Sequence, residues 1–464
     1  MIDMNQVGFQ YAGCKIDTGI HNVKVKIKKG ECVLLCGESG CGKTTILKFI
    51  NGLIPYFEKG KMDGDILIQG KNTRDMQQYD ISDYVSCVFQ NPKTQFFNTD
   101  VESEITFALE NKGMKVEDIN RRLEETVREL HLEKLRNRSM FELSGGQKQL
   151  IAFASAYISD TPVIVLDEPS ANLDYEATNL ICDVIRKLKE KGKTIVIAEH
   201  RISYLKEFVD TVYYVNRGEI TKCYSGKDFY MISNLERKQM GLRTLKEFHV
   251  RPVLAEQKHT KSPWSIEVQD LELAYKKKVI FRSLDFKAES GDIIGIIGEN
   301  GVGKSTFLRT IAGLHKYNKG LILINGKEVT DKKRQKLCGM VMQDVNYQLF
   351  TNSVKNECML GSKGFTEDRC TDLFQKTGLN GFEDRHPQSL SGGQKQRLAM
   401  ASVYASEKKI VLLDEPTSGL DYKNMIAVGE ILRKMADYGD IILIVTHDME
   451  FVETVCNRIF QLEN

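Results

Sequence analysis

An internal duplication constrains the fold of this chain more than any other feature of its sequence. The segment LSGGQKQL at 143–150 returns almost unchanged as LSGGQKQR at 390–397. Two more segments also return, GESGCGKT as GENGVGKS and VIVLDEPS as IVLLDEPT. Similarity over such long separations indicates two copies of a whole domain, since a solenoid would show many short repeats.

The spacing of the landmarks supports a tandem arrangement. Residue 391 minus residue 144 gives an offset of 247, as do 414 minus 167 and 447 minus 200. The lysines of the glycine-rich segments, at 43 and 304, are 261 residues apart, so the second copy is shorter in that region. We therefore predict a first domain over 1–225, a linker over 226–262 and a second domain over 263–464.

Composition excludes several classes of protein. The chain has 464 residues, too many for one ordinary core. Its 65 basic and 63 acidic residues give a net charge of +2, which offers no electrostatic basis for binding nucleic acid. The first residues do not resemble a signal peptide, and no apolar run approaches the roughly 20 residues of a membrane span. The eleven cysteines, scattered without paired spacing, are typical of reduced thiols in the cytoplasm.

Short apolar runs alternate with helical patterns in each copy. ECVLLCG leads into GESGCGKT, PVIVL leads into DEPS, and KTIVIA leads into EH. Continuous apolar runs without alternation predict strands buried on both faces, and hence a parallel sheet covered by helices. Ligands of such sheets bind beyond the carboxyl ends of the strands, where all three polar segments should meet.

The glycine-rich segment matches GxxxxGK[ST], a cradle for phosphate groups. Its glycines allow backbone N–H groups to point inward, while Lys43 and Lys304 add positive charge, and Thr44 and Ser305 offer hydroxyls to Mg²⁺. The alternative, a chance glycine turn, is disfavoured by the strand before it and the helix after it in both copies. The motif alone predicts a nucleotide site without distinguishing kinases, GTPases and ATPases.

The acidic pair in LDEP narrows the choice. The apolar strand places Asp167 and Asp414 at its end, where a carboxylate can hold Mg²⁺ through water. Because successive side chains of a strand point opposite ways, Glu168 and Glu415 should face the water that attacks the γ-phosphate. An acidic start to the following helix is a second interpretation, and both can hold together.

The repeated LSGGQ turn begins a helical stretch, where N–H groups and a serine hydroxyl can bind an anion. Each half already has its own phosphate cradle. A second phosphate binder makes sense if it serves the nucleotide of the other half, giving two composite head-to-tail sites. A simple helix-start turn explains one copy but not two nearly identical ones.

With this motif set the chain resembles the ATP-binding-cassette family over both halves. The resemblance implies an α/β fold with two tandem P-loop NTPase domains, each with a mainly parallel sheet core, a β subdomain and a helical subdomain. It implies ATP and Mg²⁺ as cofactors, with Thr44, Gln90 and Asp167, and Ser305, Gln343 and Asp414, as metal-binding residues. It also implies that His200 and His447 contact the γ-phosphate beside Glu168 and Glu415, and that SANLD and SGLD, ending at Asp174 and Asp421, cross between the halves.

The nucleotide-binding residues implied by the resemblance fall into matched sets. In the phosphate loops they are Gly37, Glu38, Ser39, Gly40, Cys41, Gly42, Lys43, Thr44 and Thr45, with Gly298, Glu299, Asn300, Gly301, Val302, Gly303, Lys304, Ser305 and Thr306. In the signatures they are Ser144, Gly145, Gly146 and Gln147, with Ser391, Gly392, Gly393 and Gln394. Gln90 and Gln343 join them, and Tyr11 and Tyr275 fall where the family stacks an aromatic ring on adenine; a packed tyrosine at a strand edge is the alternative.

Two positions depart from the usual pattern or invite comment. The family commonly shows arginine directly after LSGGQKQ. The second copy has this arginine, Arg397, but the first copy has Leu150, so the helix after the first signature is expected to be less well anchored. Cys41 occupies a variable position inside the first phosphate loop, where cysteine is expected to be tolerated, although an exposed thiol there could be alkylated.

The segments NGLIPYFEKG and QNPKTQFFNTDVESEITFALEN look like those of energy-coupling-factor importers. This resemblance implies a peripheral ATPase on the cytoplasmic face of a prokaryotic membrane. Its implied partners are an integral membrane coupling subunit and a substrate-capture membrane subunit, and the whole complex imports a vitamin or metal ion. Alternatives are an ATPase of a sugar or peptide importer and a soluble cassette protein acting on ribosomes. The intact GENGVGKS disfavours a sugar importer, and the lack of a basic block disfavours a ribosomal factor.

Apolar residues interrupt two otherwise polar segments, one after Gln90 and one after Gln343. They are Phe96 and Phe97 in the first copy, and Tyr347, Leu349 and Phe350 in the second. Such residues either plug the core or form a groove for a helix of the membrane subunit, where a few aromatic anchors dominate binding.

Overall fold

The computed structural model describes residues 1–13, 19–171, 173–246, 264–275, 278–360, 362 and 367–463. They divide into two compact units, Met1–Glu247 and Phe248–Asn464. Among the described residues, no helix has both the length and the apolar character that crossing a bilayer requires.

The first unit contains two sheets. Its strands are β1 (Ile2–Tyr11), β2 (Gly19–Ile27), β3 (Cys32–Cys36), β4 (Gly60–Ile68), β5 (Lys71–Asn72), β6 (Val85–Val88), β7 (Val163–Asp167), β8 (Thr194–Ala198), β9 (Thr211–Asn216) and β10 (Glu219–Ser225). One sheet is antiparallel in the order β2-β1-β4-β5, and the other has the order β10-β9-β3-β8-β7-β6. In the second sheet all neighbours are parallel except β10, which runs antiparallel to β9.

Helices cover the parallel sheet of the first unit. They are α1 (Lys43–Ile50), α2 (Leu53–Tyr56), α3 (Gln78–Ser82), α4 (Val101–Asn111), α5 (Val116–Glu129), α6 (Gly145–Ile158), α7 (Tyr175–Glu190), α8 (Gly226–Phe229) and α9 (Asn234–Gln239). Helices α4, α5 and α6 pack on one another and form a helical layer.

The second unit repeats this plan. Its strands are β11 (Ser265–Tyr275), β12 (Lys278–Phe281), β13 (Phe286–Glu289), β14 (Ile293–Ile297), β15 (Lys319–Ile324), β16 (Lys327–Glu328), β17 (Cys338–Val341), β18 (Ile410–Asp414), β19 (Ile441–Val445) and β20 (Arg458–Gln461). Its helices are α10 (Lys304–Ile311), α11 (Asp331–Leu337), α12 (Val354–Met359), α13 (Glu367–Thr377), α14 (Gly392–Ala405), α15 (Tyr422–Asp437) and α16 (Met449–Val455). The parallel sheet has the order β17-β18-β19-β14-β20.

The apolar runs form the central strands because both faces of the parallel sheet are buried. In β3, Cys32, Leu34 and Cys36 pack into one core, whereas Val33 and Leu35 pack into another. The first core lies under the helices, and the second lies against the antiparallel sheet and α1. The predicted fold class, two tandem α/β units with mainly parallel sheets, is confirmed.

The first part of the predicted linker packs with the first unit. Helices α8 and α9 lie within 226–239, and the Phe229 ring is completely buried in the first core. Met240 and Leu242 are buried in the same core. The rest of the predicted linker, from 247 to 262, lies outside the described residues, so the domain boundaries remain a prediction.

Removing the Phe229 ring is expected to destabilise the first unit. The ring contacts both Tyr224 and Tyr230, with ring centres 5.8 and 5.4 Å away. Phe229→Ala should lower the free energy of unfolding by about 3–5 kcal/mol, the usual cost of deleting a buried ring. Calorimetry of the full chain measures this, with the exposed Met231→Ala as the control. Equal melting of the two variants would show that this segment does not support the core.

Candidate active site

The first phosphate loop connects β3 to α1 and is shaped by glycine. Gly37 and Gly42 have φ angles of 150° and 111°, and a Cβ on Gly37 would lie 2.1 Å from the carbonyl oxygen of Val215. The buried Lys43 begins α1, and its Nζ donates to the carbonyl oxygens of Gly37 at 3.0 Å and Glu38 at 2.9 Å. The ammonium group is therefore held over a loop that leads into a helix N-terminus, which suits an anion.

The second phosphate loop has the same construction. It connects β14 to α10, and Gly303 has a φ of 106°. Lys304 is also buried, and its Nζ donates to the carbonyl oxygens of Gly298 at 2.7 Å and Glu299 at 2.8 Å. Both halves thus carry the lysine-over-loop arrangement that the sequence predicts.

A hydroxyl of each loop meets the carboxylate at the end of a neighbouring strand. Thr44 Oγ1 donates to Asp167 Oδ1 at 3.2 Å, and Ser305 Oγ donates to Asp414 Oδ1 at 3.0 Å. Burial raises the pKa of Asp167 to about 6, and burial also raises the pKa of Asp414. A cation bound here would favour the charged carboxylates, because an opposite charge offsets the cost of desolvation.

The two glutamates after these strands do not continue the extended backbone. Glu168 and Glu415 have φ angles of 45° and 52°, in the left-handed region. Each N–H still bonds across the sheet, to the carbonyl oxygens of Ala198 and Val445 at 2.8 Å. Strand alternation was thus the wrong reason for their direction, because a strained turn aims them; such strain clusters at functional sites.

Each histidine lies between a glutamate and a phosphate loop. His200 Nε2 is 3.5 Å from Glu168 Oε1 and 3.5 Å from Ser39 Oγ. His447 Nε2 is 3.6 Å from Glu415 Oε1 and 3.1 Å from Asn300 Oδ1. Within each unit the structure therefore brings the predicted glutamate, histidine and phosphate loop together.

Electrostatics in the first site favour a neutral histidine and a basic glutamate. Burial lowers the pKa of His200, and the nearby Lys43 and Arg243 lower it further. Burial raises the pKa of Glu168 to about 8, and the Glu199 carboxylate adds to that rise. A carboxylate with a raised pKa has the affinity for protons that a general base needs.

The glutamines after β6 and β17 differ in what they contact. Gln90 Nε2 donates to Glu168 Oε2 at 2.6 Å, which brings this predicted metal-binding residue to the first site. Gln343 is exposed at the corresponding position in the second unit.

The signature serines begin helices. Ser144 Oγ accepts from the N–H of Gln147 at 3.3 Å at the start of α6, while the Gln147 side chain accepts from the N–H of Ser144. Ser391 and Gln394 form the same capping box at the start of α14. Both serines are exposed. The helix-start interpretation therefore describes the local structure, and the role at a second nucleotide stays a prediction.

The first aromatic predicted to stack on adenine contacts the site through its hydroxyl. Tyr11 lies at the end of β1, and its OH lies 3.1 Å from Thr45 Oγ1 of α1. Its ring packs edge-on against Phe9, with centres 4.9 Å apart. The side chain of Tyr275 lies outside the described part of the chain. Stacking on adenine stays a prediction for both.

Two expectations are corrected by side-chain packing. Cys41 is buried, and burial raises the pKa of its thiol, so easy alkylation is not expected. Leu150 is buried in the first core, whereas Arg397 Nη1 donates to Asn424 Oδ1 at 2.6 Å. The first helix is therefore anchored by apolar packing in place of a hydrogen bond.

Two buried charged residues beside the first site were missed by sequence analysis. Glu199 directly precedes His200. Arg243 lies two residues after Gly241, where an added Cβ would be 2.8 Å from the Glu38 side chain. The signal for Glu199 was present, because IAEH and VTH differ at that position. Arg243 gave none, since it belongs to the predicted linker.

The residues present fit ATP and Mg²⁺. The two cradles suit phosphate groups, and hydroxyl and carboxylate oxygens are hard ligands of the kind that Mg²⁺ prefers. Across the described ranges there is no group of three or more His, Cys, Asp or Glu arranged to hold a metal. Mg²⁺ usually takes several of its ligands from phosphate and water, so a large protein cluster is not required.

A phosphate loop, a strand-end Asp–Glu pair, a histidine and a capped signature helix on one parallel sheet define a P-loop ATPase of the cassette class. The family model described as ABC transporter matches residues 20–171 and 281–418. The chain belongs to this family, with two copies of its ATP-binding domain.

Similar proteins cover the whole chain. A provisionally named ABC transporter ATP-binding protein from Treponema denticola is 43% identical over 469 residues, covering 100% of this chain and 95% of the relative. A provisionally named HMP/thiamine import ATP-binding protein, YkoD of Bacillus subtilis, is 29% identical and covers 100% of this chain and 90% of the relative.

Among solved structures, an archaeal ribosome recycling factor, aABCE1, in complex with the ribosomal stalk protein aP1 has a TM-score of 0.64 and 20% identity. The match covers 100% of this chain and 87% of that one. A model of ribosome-bound archaeal Pelota and ABCE1 gives 0.69 and 21%, covering 98% and 76%. At these identities the likeness concerns the fold alone.

Proposed function

We propose that the chain is the ATP-hydrolysing subunit of an importer of the energy-coupling-factor type. It binds two ATP molecules with Mg²⁺ and powers uptake of a vitamin or metal ion through separate membrane subunits. One observation carries the proposal. The loop whose Gln90 contacts Glu168 at the first site also presents Phe97 to solvent, 76% exposed.

The same loop is built the same way in both halves. The buried Glu104 accepts from the N–H groups of Phe97 and Asn98, at 3.0 and 2.8 Å. In the second unit the buried Glu357 accepts from the N–H groups of Phe350 and Thr351 at the same two distances. Each carboxylate fixes the backbone so that the aromatic ring stays outside.

Exposure separates the apolar residues of these two loops into two groups. Phe97, Phe350 and Tyr347 are exposed, whereas Leu349 is buried and Phe96 packs partly against the core. Exposed rings on a braced loop suit an apolar helix of a partner, because aromatic anchors supply much of the energy of such contacts. The alternative, that these residues fill the core, applies only to Leu349 and Phe96.

One relative supports an importer. The Bacillus relative is provisionally named for HMP and thiamine import and is similar over this whole chain. This supports a transport role without fixing the cargo of this chain. A role on ribosomes has only a likeness of fold behind it.

In the proposed mechanism the phosphate loops bind the nucleotide, and Asp167 and Asp414 help to hold the metal ion. Mg²⁺ would neutralise charge on the phosphates. Glu168 and Glu415 orient and deprotonate the attacking water, and His200 and His447 contact the γ-phosphate. LSGGQ of each half completes the site of the other half.

Cross-complementation of the two halves gives a directional prediction. If Ser391 completes the site built on Lys43, Ser391→Arg should reduce trapping of a photoreactive ATP analogue in the first half, as Lys43→Ala does. The bulky cation would fill the γ-phosphate position. Labelling followed by proteolysis between the halves measures this, and Ser144→Arg is the mirrored control. Loss of label confined to the second half would contradict composite sites.

Copurification tests the transport assignment. Tagged chain from its own cells is expected to bring down an integral membrane coupling subunit and a small membrane capture protein. Mass spectrometry of the eluate identifies them. Recovery of ribosomal proteins with no membrane protein would contradict the importer and favour the soluble alternative.

A further inference from the structure

A buried carboxylate joins the histidine of the first site to the loop after the catalytic glutamate. Glu199 is 2% exposed, and its Oε1 accepts from the N–H groups of His200 at 2.7 Å and Arg201 at 3.1 Å. Its Oε2 accepts from Ser170 Oγ at 2.8 Å, from the N–H of Ser170 at 3.2 Å and from the Tyr204 hydroxyl at 3.0 Å. Five donors thus converge on one side chain, which is a costly arrangement to leave unsatisfied.

The neighbouring arginine strengthens this connection. Arg201 Nη1 donates to the carbonyl oxygens of Ser170 at 3.4 Å and Leu173 at 3.2 Å. The backbone at Ser170 and Leu173, close to the predicted crossing residue Asp174, is therefore tied to the residues on both sides of His200.

The second unit makes the corresponding connection from a different position. Thr417 is the counterpart of Ser170 at the same offset of 247, as 417 minus 170 shows, and its Oγ1 donates to Asp448 Oδ2 at 2.7 Å. Asp448 follows His447, whereas Glu199 precedes His200. The position before His447 is Thr446, whose hydroxyl instead donates to Glu415 Oε2 at 3.2 Å.

We propose that Glu199 is a positioning residue of the first ATP site, which holds His200 and Ser170 as one unit. In the second unit Asp448 holds the hydroxyl of Thr417 from the other side of the histidine, while the N–H of His447 donates to Glu415 Oε2 at 3.3 Å. The carboxylate has moved across the histidine between the copies, but its hydroxyl partner has kept its place. This inference rests on the proposed function only where it concerns turnover.

The position of the carboxylate has a consequence for the chemistry. Glu199 accepts the N–H of His200 itself and so holds the backbone that carries the imidazole ring. His200 Nε2 lies 3.5 Å from Glu168 Oε1, so a shift of this backbone would misplace the group proposed to contact the γ-phosphate. Misplacement of about 1 Å can cost roughly 10²-fold in rate.

Hydrogen–deuterium exchange tests the connection without any turnover. Glu199→Gln keeps the size of the side chain but has one acceptor oxygen, so one set of donors loses its partner. Exchange of at least one of the peptides containing 170–174 and 199–205 should become about tenfold faster or more, as expected for loss of hydrogen bonds to a charged acceptor. Unchanged exchange in both peptides would overturn the inference, whatever the catalytic role of Glu168.

Kinetics test whether the connection positions the histidine. In a Glu415→Gln background, where turnover reports the first site, Glu199→Gln should lower kcat roughly 10–100-fold and change KM for ATP less than about threefold. The double swap Glu199→Thr with Arg201→Asp, which installs the arrangement of the second unit, should restore most of the activity. Asp448→Asn in a Glu168→Gln background is the matched variant, and it should also lower kcat, because the bond to the Thr417 hydroxyl weakens.

A merely structural role gives different results. A Glu199→Gln chain that keeps the parental kcat would overturn the positioning role. So would a double swap that restores the melting temperature but not kcat. If adding Glu168→Gln does not abolish the turnover of the Glu415→Gln parent, the catalytic assignment fails. The exchange experiment then decides alone whether Glu199 makes the connection.

Discussion

Replacing both Glu168 and Glu415 by glutamine is expected to lower ATP turnover by roughly 10²–10⁴-fold, the usual worth of a positioned base. The substitution keeps the size of each side chain but removes its ability to accept a proton. Nucleotide affinity should stay close to that of the parent, because Lys43 and Lys304 remain over their loops.

Phosphate release by the purified chain measures this effect. Each single variant should retain the activity of the other site if the two sites turn over separately, which makes the pair informative. The matched control is Glu219→Gln, a surface glutamate on β10. Turnover near the parental rate in the double variant would show that other groups activate the water.

Placing a charge on both exposed aromatic loops is expected to abolish partner binding. Phe97 and Phe350 are 76% and 75% exposed, so Phe97→Asp with Phe350→Asp removes little packing from either core. Each aspartate would place a charge in an apolar contact, where single hot-spot residues are worth roughly 2–4 kcal/mol. Pull-down of the membrane partner should fail while ATP binding persists.

The control variant carries two aspartates at other exposed apolar positions, Met231→Asp with Tyr438→Asp, which are 84% and 74% exposed in the parent. It should bind the partner normally. Circular dichroism and melting temperature report folding of both variants. A folded Phe97/Phe350 variant that still captures the partner would reject the aromatic loops as the docking surface.

Much of the fold follows from the sequence because its strands are continuous apolar runs. The run CVLLC buries alternate residues in two different cores, and this is why no polar residue interrupts it. The glycine-rich loops, strand-end acids and histidines then meet because parallel strands end at one edge of the sheet.

Other features depend on contacts between distant segments and left no periodic pattern. Phe229 lies in the segment predicted as linker but packs into the first core, since four-residue helices such as α8 give too short a pattern to recognise. The left-handed turn at Glu168 runs against the backbone preference of glutamate and is held by a bond to Ala198. The positioning role of Glu199 could not be predicted from the sequence, because it depends on five donors that come together only in the folded chain.

Equilibrium binding of labelled ATP with Mg²⁺ to the Glu168→Gln, Glu415→Gln chain tests the central claim of two ATP-binding sites most directly. The account predicts two molecules of ATP per chain, one lost with Lys43→Ala and the other with Lys304→Ala. A chain that binds a single ATP, or one whose binding survives both lysine substitutions, would contradict it.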